Sequence, residues 1–562
     1  MFRALSQAWV DGVDGPDVGA TLRLALPLAS AAASAVTLAA GRAAGRPGRA
    51  LASDLASIAV TFAPLAMLSL APLSRDGTGL LYVLAVAVRF APAIALLVLG
   101  PTMRPLMLLA ALAVYAALAA WLNVSSLPFG DQVHYLLATD RLAHGSLDAF
   151  LDASLFRSLV GFEPGPADVA THVAQAPVGP RTVQGYALPL LLLPGWIAAG
   201  RFGAELVVAL AAAWTALQAF ELVRETTADE RRARMLWPLV AFLTPLLPLA
   251  IHVYPNAIGA ALIATGYRFA FTRVPARPLL AGALLGGTLL LTPRDGLALL
   301  VLALVLAVLD RRHTKRFVVG AGAAALAAIA LNAVAYGIPL PYAGYLFGTA
   351  QAQALEGQSS ITIRFWIGLP AMLFDRTFGV AGSAPWLFIG VLGLVGALRA
   401  RSSALAPAAI LVGASLVALS FFRLWEGGYA PPNRYLVDVL PLLAPFVAYG
   451  IAAARPLLLR FLVASLVGLS AFATLVLAAS PGRALNSAFD AKLQDALDRS
   501  LGVNPLGWLP NFQPLSDDWY VQAHPRAAIA LLVTLALAWL GRHAIPARGA
   551  AETAPIRPSR PE

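Results

Sequence analysis

The chain has no cysteine. That excludes a disulfide framework, a thiolate nucleophile and any Cys-based zinc or iron–sulfur site, and it leaves the redox compartment open. Chemistry falls to carboxylates, His, Arg, Tyr and hydroxyls. Lysine is nearly missing too: of 40 basic residues only Lys315 and Lys492 are not Arg. Charge as a whole is scarce, at 12% of residues, where soluble domains carry about 25%. No internal repeat, P-loop, zinc-spaced cluster or Gly-x-Ser-x-Gly elbow occurs, so soluble nucleotide chemistry has no support. What fills the 562 residues is apolar: 59% are hydrophobic and the mean hydropathy is +0.75. The fold class is all-α, a polytopic membrane protein.

A hydrocarbon core of about 30 Å needs roughly 20 apolar residues per helix. Such runs occur at 20–41, 55–73, 79–100, 105–124, 203–223, 236–253, 256–272, 279–292, 296–310, 317–336, 384–400, 403–421, 435–453, 457–479 and 526–541, which predicts about fifteen crossings. The first residues carry Asp11, Asp14 and Asp17 and show no cleavable signal pattern. Arg sits in the short connections, as at Arg42, Arg46 and Arg49, at Arg224, Arg231, Arg232 and Arg234, at Arg273 and Arg277, and at Arg311, Arg312, Lys315 and Arg316. Placing these in the cytoplasm, with Arg399, Arg401, Arg455 and the Arg-rich tail, lets the spans alternate without conflict. The condition is that 185–199, with Pro189 and Pro194, is juxtamembrane or re-entrant. The opposite face then receives the long connections 125–184, 337–383, 421–434 and 480–525. The tail after Gly541, rich in Pro, Ala and Arg, is expected to be disordered and cytoplasmic.

The first acid beyond the 105–124 run is Asp131, in Gly130-Asp131-Gln132-Val133-His134-Tyr135. A carboxylate emerging at a lipid–water boundary is expensive unless it is used, which points to an enzyme working at a membrane surface. As a bland reading, Asp131 merely caps the amphipathic run that follows it.

The stretch GDQVHYLLATDRLAHGSLD resembles the first external loop of the GT-C glycosyltransferases, the multispanning group that includes aminoarabinose and protein-mannose transferases. Further resemblances follow in order: GYALPLLLLPGWIAAGRFG, HVYPN, LTPRDG, LFDRTFGVAGSAPW and LWEGGYAPPNRYL. They divide the chain into added N-terminal helices (1–100), a GT-C-like core (101–455), C-terminal spans (456–541) and a tail (542–562). The resemblance implies a GT-C-like helical bundle with external juxtamembrane helices and re-entrant elements. It implies transfer of a sugar from a polyprenyl-phosphate donor, with inversion, to a glycan, lipid or protein acceptor, at a site on the periplasmic or exterior side of a bacterial inner membrane. No cofactor is certain: a divalent metal stays an open alternative, one that the ligand spacing does not support.

Such a displacement needs a base near the acceptor proton and cations near the departing phosphate. Asp131 is the expected base. His134 would orient sugar or acceptor, with Tyr135 packing beside it; Asp140 and Asp148 are as readily solvent-face acids of the same helix. His252, Tyr254 and Asn256 end another span, and Asn256 stands where the related pattern has Glu, so a second carboxylate is lost there. Gln132 likewise stands where an acidic pair is frequent. Arg294 with Asp295, and Arg434 in APPNRYL, are phosphate-holding candidates, against neutralising-pair and snorkelling readings. Asp375 and Arg376 belong to a re-entrant element or a structural turn. Trp425 and Glu426 form a sugar-facing platform, or Trp425 is an interfacial anchor. Competing functions are a lipid-linked oligosaccharide polymerase or ligase, a polytopic flippase or transporter, and a catalytically silent relative. Nucleic acid is not an expected partner.

Overall fold

The computed structural model describes residues 18–70, 75–128, 130–148, 153–160, 172–273, 275–292, 296–340, 343–347, 365–400, 402, 404–422, 427, 430–479, 508–512 and 517–544. In chain order the helices are α1 (Val18–Ala43), α2 (Pro47–Leu70), α3 (Arg75–Leu99), α4 (Arg104–Ser125), α5 (Asp131–Ala143) and α6 (Ala153–Val160). The antiparallel hairpin β1 (Val173–Ala176) and β2 (Gly179–Thr182) follows, with Val173 opposite Thr182. Beyond it come α7 (Ala187–Thr227), α8 (Glu230–Phe242), α9 (Leu246–Ala250), α10 (Asn256–Phe271), α11 (Pro278–Leu291), α12 (Gly296–Leu309), α13 (Arg311–Tyr336) and α14 (Ala343–Leu346). The last part holds α15 (Phe365–Phe374), α16 (Val380–Ser383), α17 (Ile389–Arg399), α18 (Leu405–Leu419), a 3-10 turn (Arg434–Val439), α19 (Leu440–Ala453), α20 (Leu457–Ala479) and α21 (Asp517–Ala544).

Seven helical stretches among the described residues are long and apolar enough to cross a membrane: Thr78–Leu99, Arg104–Ser125, Ala187–Thr227, Arg311–Tyr336, Arg434–Ala453, Leu457–Ala479 and Pro525–Arg542. This is an all-α membrane protein. Fewer helices than the fifteen expected crossings reach that length, because turns and prolines cut several apolar runs. The run 236–253 is divided between α8 and α9, and α11, α12 and α18 each stop short of a full crossing. Apolar side chains left exposed on the long helices, such as Val319, Leu326, Leu457 and Phe461, suit contact with lipid.

Close helix crossings come from small residues. A Cβ on Gly393 of α17 would lie 1.9 Å from the Phe446 carbonyl oxygen, and one on Gly450 of α19 would lie 1.9 Å from that of Ile389. Only glycine lets these two backbones meet. Trp121 Nε1 of α4 donates to the Ala479 carbonyl at 3.0 Å, and the N-terminal helices join α4 where Tyr82 Oη donates to the Ala117 carbonyl at 2.8 Å. Within them Arg89, 2% exposed, donates to Asp54 Oδ1 at 2.6 Å and to Ser57 and Ser30 at 2.8 Å, so this charge is compensated inside the bundle.

Helix α7 breaks at Ala199 (φ −151°, ψ 24°) and Gly200 (φ 58°, ψ −140°). The arm before the break is about 18 Å long at 1.5 Å per residue, too short to cross alone. Helix α4, about 33 Å long on the same measure, separates two polar ends. At its Arg104 end, Glu221 meets Arg104, Arg224 and Arg268, and Glu225 also pairs with Arg268. At its Ser125 end lie Asp131 and the residues gathered around it.

Candidate functional site

The chain leaves α4 through Ser126, whose amide still bonds to the Leu122 carbonyl, and re-enters a helix at Asp131. Between them Gly130 adopts φ 56°, ψ −139°, a conformation that side chains rarely tolerate. Asp131 therefore occupies the first turn of α5, where a negative charge suits the helix dipole. The next residue, Gln132, is 1% exposed, and its Oε1 accepts from the Val253 amide at 3.1 Å. That bond ties α5 to the 252–255 segment leading into α10.

Arg434 arrives from the other side. Asn433 holds a left-handed conformation (φ 59°) and its Nδ2 donates to the Gly379 carbonyl at 3.3 Å, fixing the start of the 3-10 turn. The Arg434 side chain, 8% exposed, forms an ion pair from Nη2 to Asp131 Oδ2 at 2.9 Å, and it donates from Nε to Asn256 Oδ1 at 3.1 Å and from Nη1 to the Gly427 carbonyl at 3.3 Å. Its guanidinium carbon stands 4.4 Å from the centre of the Tyr254 ring, a cation–π contact. Burial pushes the Tyr254 phenol above its ordinary range, while the Arg434 charge opposes that shift. Asn256 in turn donates from Nδ2 to both oxygens of Asp438, each at 3.1 Å. Asp131, 34% exposed, is the outermost member of this chain of polar groups.

Of the residues singled out from sequence, the structure joins Asp131, Tyr254, Asn256 and Arg434 directly. Tyr135 is buried beside them and acts electrostatically on both Arg434 and Tyr254. His134, 7% exposed, faces elsewhere: its ring stacks on His172 with centroids 3.5 Å apart and planes 9° apart. Burial, then the neighbouring His172, holds its pKa well below 6.5. His252 is fully buried; its Nδ1 lies 2.6 Å from the Pro248 carbonyl and so must carry the proton.

Asp375 is used up by the backbone. Its Oδ1 accepts from the amides of Thr377 and Phe378, and its Oδ2 from that of Phe512, all at 2.8 Å, with no exposure to solvent. Burial raises its pKa against these donors. The Arg376 amide donates to the Pro510 carbonyl at 3.0 Å, so the pair ties the 375–378 turn to segment 510–512. Substrate contact by the Asp375 carboxylate is incompatible with this burial. Asp140 bonds to Trp196 Nε1 and pairs with His144, and Asp148 pairs with Arg181 of the hairpin, away from Arg434. Arg294, Asp295, Trp425 and Glu426 lie outside the described residues.

Two features escaped sequence reasoning. Asp438 sits four residues after Arg434 in RYLVDVL, and an acid beside an apolar run was the available signal. Arg201 and Glu205, an i, i+4 ion pair at 2.8 Å in RFGAE, are buried just after the α7 break, with Arg201 also donating to the Ser126 carbonyl at 2.8 Å. No group of three or more His, Asp or Glu residues placed to hold a metal occurs among the described residues.

Comparisons of the chain with family models, with curated proteins and with solved structures find no match.

Proposed function

We propose that this protein is a membrane glycosyltransferase that moves a sugar from a polyprenyl-phosphate donor to a hydroxyl or amide acceptor, with inversion, on the extracytoplasmic face of a bacterial inner membrane. The observation that supports it best is the meeting of Asp131 and Arg434 at one end of the bundle. A carboxylate able to take a proton and a guanidinium able to hold a phosphate stand within 2.9 Å of each other.

Arg434 donates from Nε to Asn256 and from Nη1 to the Gly427 carbonyl, and its Nη2 is paired with Asp131. The planar guanidinium suits bidentate phosphate binding through its terminal nitrogens. In the reaction the donor phosphate takes the outer edge of the guanidinium and displaces Asp131. The released carboxylate accepts the proton of the acceptor group as the new bond forms at the anomeric carbon. The carbon–oxygen bond to phosphate breaks on the opposite face, and the polyprenyl phosphate leaves with its negative charge on Arg434.

The test is a transfer and binding assay on purified protein in lipid nanodiscs, with a panel of polyprenyl-phosphate sugars. Binding of the carrier that is lost in Arg434→Ala, and transfer that is lost in Asp131→Asn with binding retained, are the expected results. Undiminished transfer by Asp131→Asn overturns the assignment of the base. A wild-type protein that binds no polyprenyl phosphate overturns the reading as a whole.

A further inference from the structure

We infer that Asp438 is a positioning residue that sets Arg434 by way of Asn256, so that the guanidinium keeps its place while its outer edge exchanges Asp131 for an incoming phosphate. The functional part of this inference rests on the proposed donor; the mechanical part does not.

The polarity of the chain dictates each residue type. Asp438 can only accept, and both its oxygens do so from Asn256 Nδ2 at 3.1 Å. Arg434 can only donate, and its Nε gives to Asn256 Oδ1 at 3.1 Å. Between an acceptor and a donor a carboxamide alone presents the right group to each. Turning the amide over would set oxygen against carboxylate and NH2 against guanidinium, so Asp438 fixes which way Asn256 faces. A carboxylate at 256 would bond to Arg434 but would confront Asp438 with no donor between them. The acid expected at 256 by resemblance is thus supplied from the 3-10 turn, one residue further back.

Burial divides a fixed part from an exchangeable one. Asp438, Asn256 and Arg434 are 5%, 1% and 7% exposed, so their bonds lie away from solvent, where hydrogen bonds are electrostatically stronger. The Asp131 side chain is 34% exposed. An anion arriving from solvent meets the Asp131 edge of the guanidinium, whereas its Nε edge stays anchored. Asp438 reaches the guanidinium through Asn256.

A residue that acts through another loses its influence when the other is removed. The experiment measures equilibrium binding of decaprenyl phosphate and the thermal unfolding midpoint for the intact protein and for Asp438→Ala, Arg434→Ala and the double variant. Asp438→Ala is expected to weaken binding about tenfold, the loss of one hydrogen bond to a charged group. Its effect on the unfolding midpoint is expected to be smaller in the Arg434→Ala background than in the parent. Asp438→Asn, which keeps an oxygen to accept from Asn256, should stay within about threefold of the parent. An equal midpoint shift in both backgrounds, or binding unchanged in Asp438→Ala, overturns the inference. Should the parent bind no decaprenyl phosphate, the donor reading falls and the midpoints decide the linkage. Non-additive shifts then support it, and additive shifts overturn it.

Discussion

Arg434 Nη2 meets Asp131 Oδ2 at 2.9 Å, joining the first turn of α5 to the 3-10 turn before α19. The two partners are unequal. Asp131 is one-third exposed and Arg434 is almost wholly enclosed, so removing either has different consequences.

For Asp131→Asn the expectation is a loss of transfer by a factor of about 10² to 10⁴, the usual contribution of a positioned general base. Its effect on the unfolding midpoint should be small, because a pair with one exposed member contributes about 1 kcal/mol or less. Arg434→Ala should lower the midpoint by more, since it strips Asn256 Oδ1 and the Gly427 carbonyl of their donor. A midpoint shift larger for Asp131→Asn than for Arg434→Ala would contradict this division.

Gly130→Ala should impair Asp131 without touching any of its contacts. The φ of 56° disfavours a side chain by roughly 1–2 kcal/mol, and relief of that strain would rotate the first turn of α5. Turnover is expected to fall while carrier binding at Arg434 is kept. Parallel losses of both would show that the turn does not act on Asp131 selectively.

Asp375→Ala is expected to act on stability alone. It leaves three buried backbone amides without their acceptor, which costs about 1–3 kcal/mol for each group left unpaired. The folded fraction that survives should bind carrier with unchanged affinity. An altered dissociation constant in that fraction would return Asp375 to the site.

His134 makes stability depend on pH. Its folded pKa is depressed below 6.5 by burial and by His172, so between those two values the unfolded chain binds a proton that the folded chain does not. The stability associated with neutral His134 is fully present above pH 6.5 and is lost as pH falls below it, at about 1.4 kcal/mol per pH unit. Thermal midpoints recorded from pH 7.5 down to 5 should fall less steeply in His134→Asn than in the parent. Equal slopes would remove His134 as the responsible group.

Much of the architecture was legible along the chain. The run 457–479 coincides with α20 and the run 105–124 with α4 to within a residue at each end. An apolar segment in lipid must satisfy every backbone group internally, so composition alone dictates helix. The break at Ala199–Gly200 falls where the Pro-containing segment 185–199 ends, and the acidic residue following α4 does begin a helix. Asp375 was less legible: beside Arg376 in an apolar stretch it reads equally as part of a re-entrant element or as a structural turn, and only the tertiary structure shows Thr377, Phe378 and Phe512 placed around it.

The sequence by itself determined that this is a helical membrane protein, and which short polar segments interrupt its apolar runs, because hydrophobic length and backbone hydrogen bonding are local properties. Which of those segments meet was decided by the tertiary structure alone. The Gln132–Val253 bond holds α5 against the segment leading into α10, and the 3-10 turn bonds to Asn256 of α10, so Asp131, Asn256, Arg434 and Asp438 come together from three separate parts of the chain. Their bonds depend on separations of about 3 Å, which no spacing along the sequence encodes.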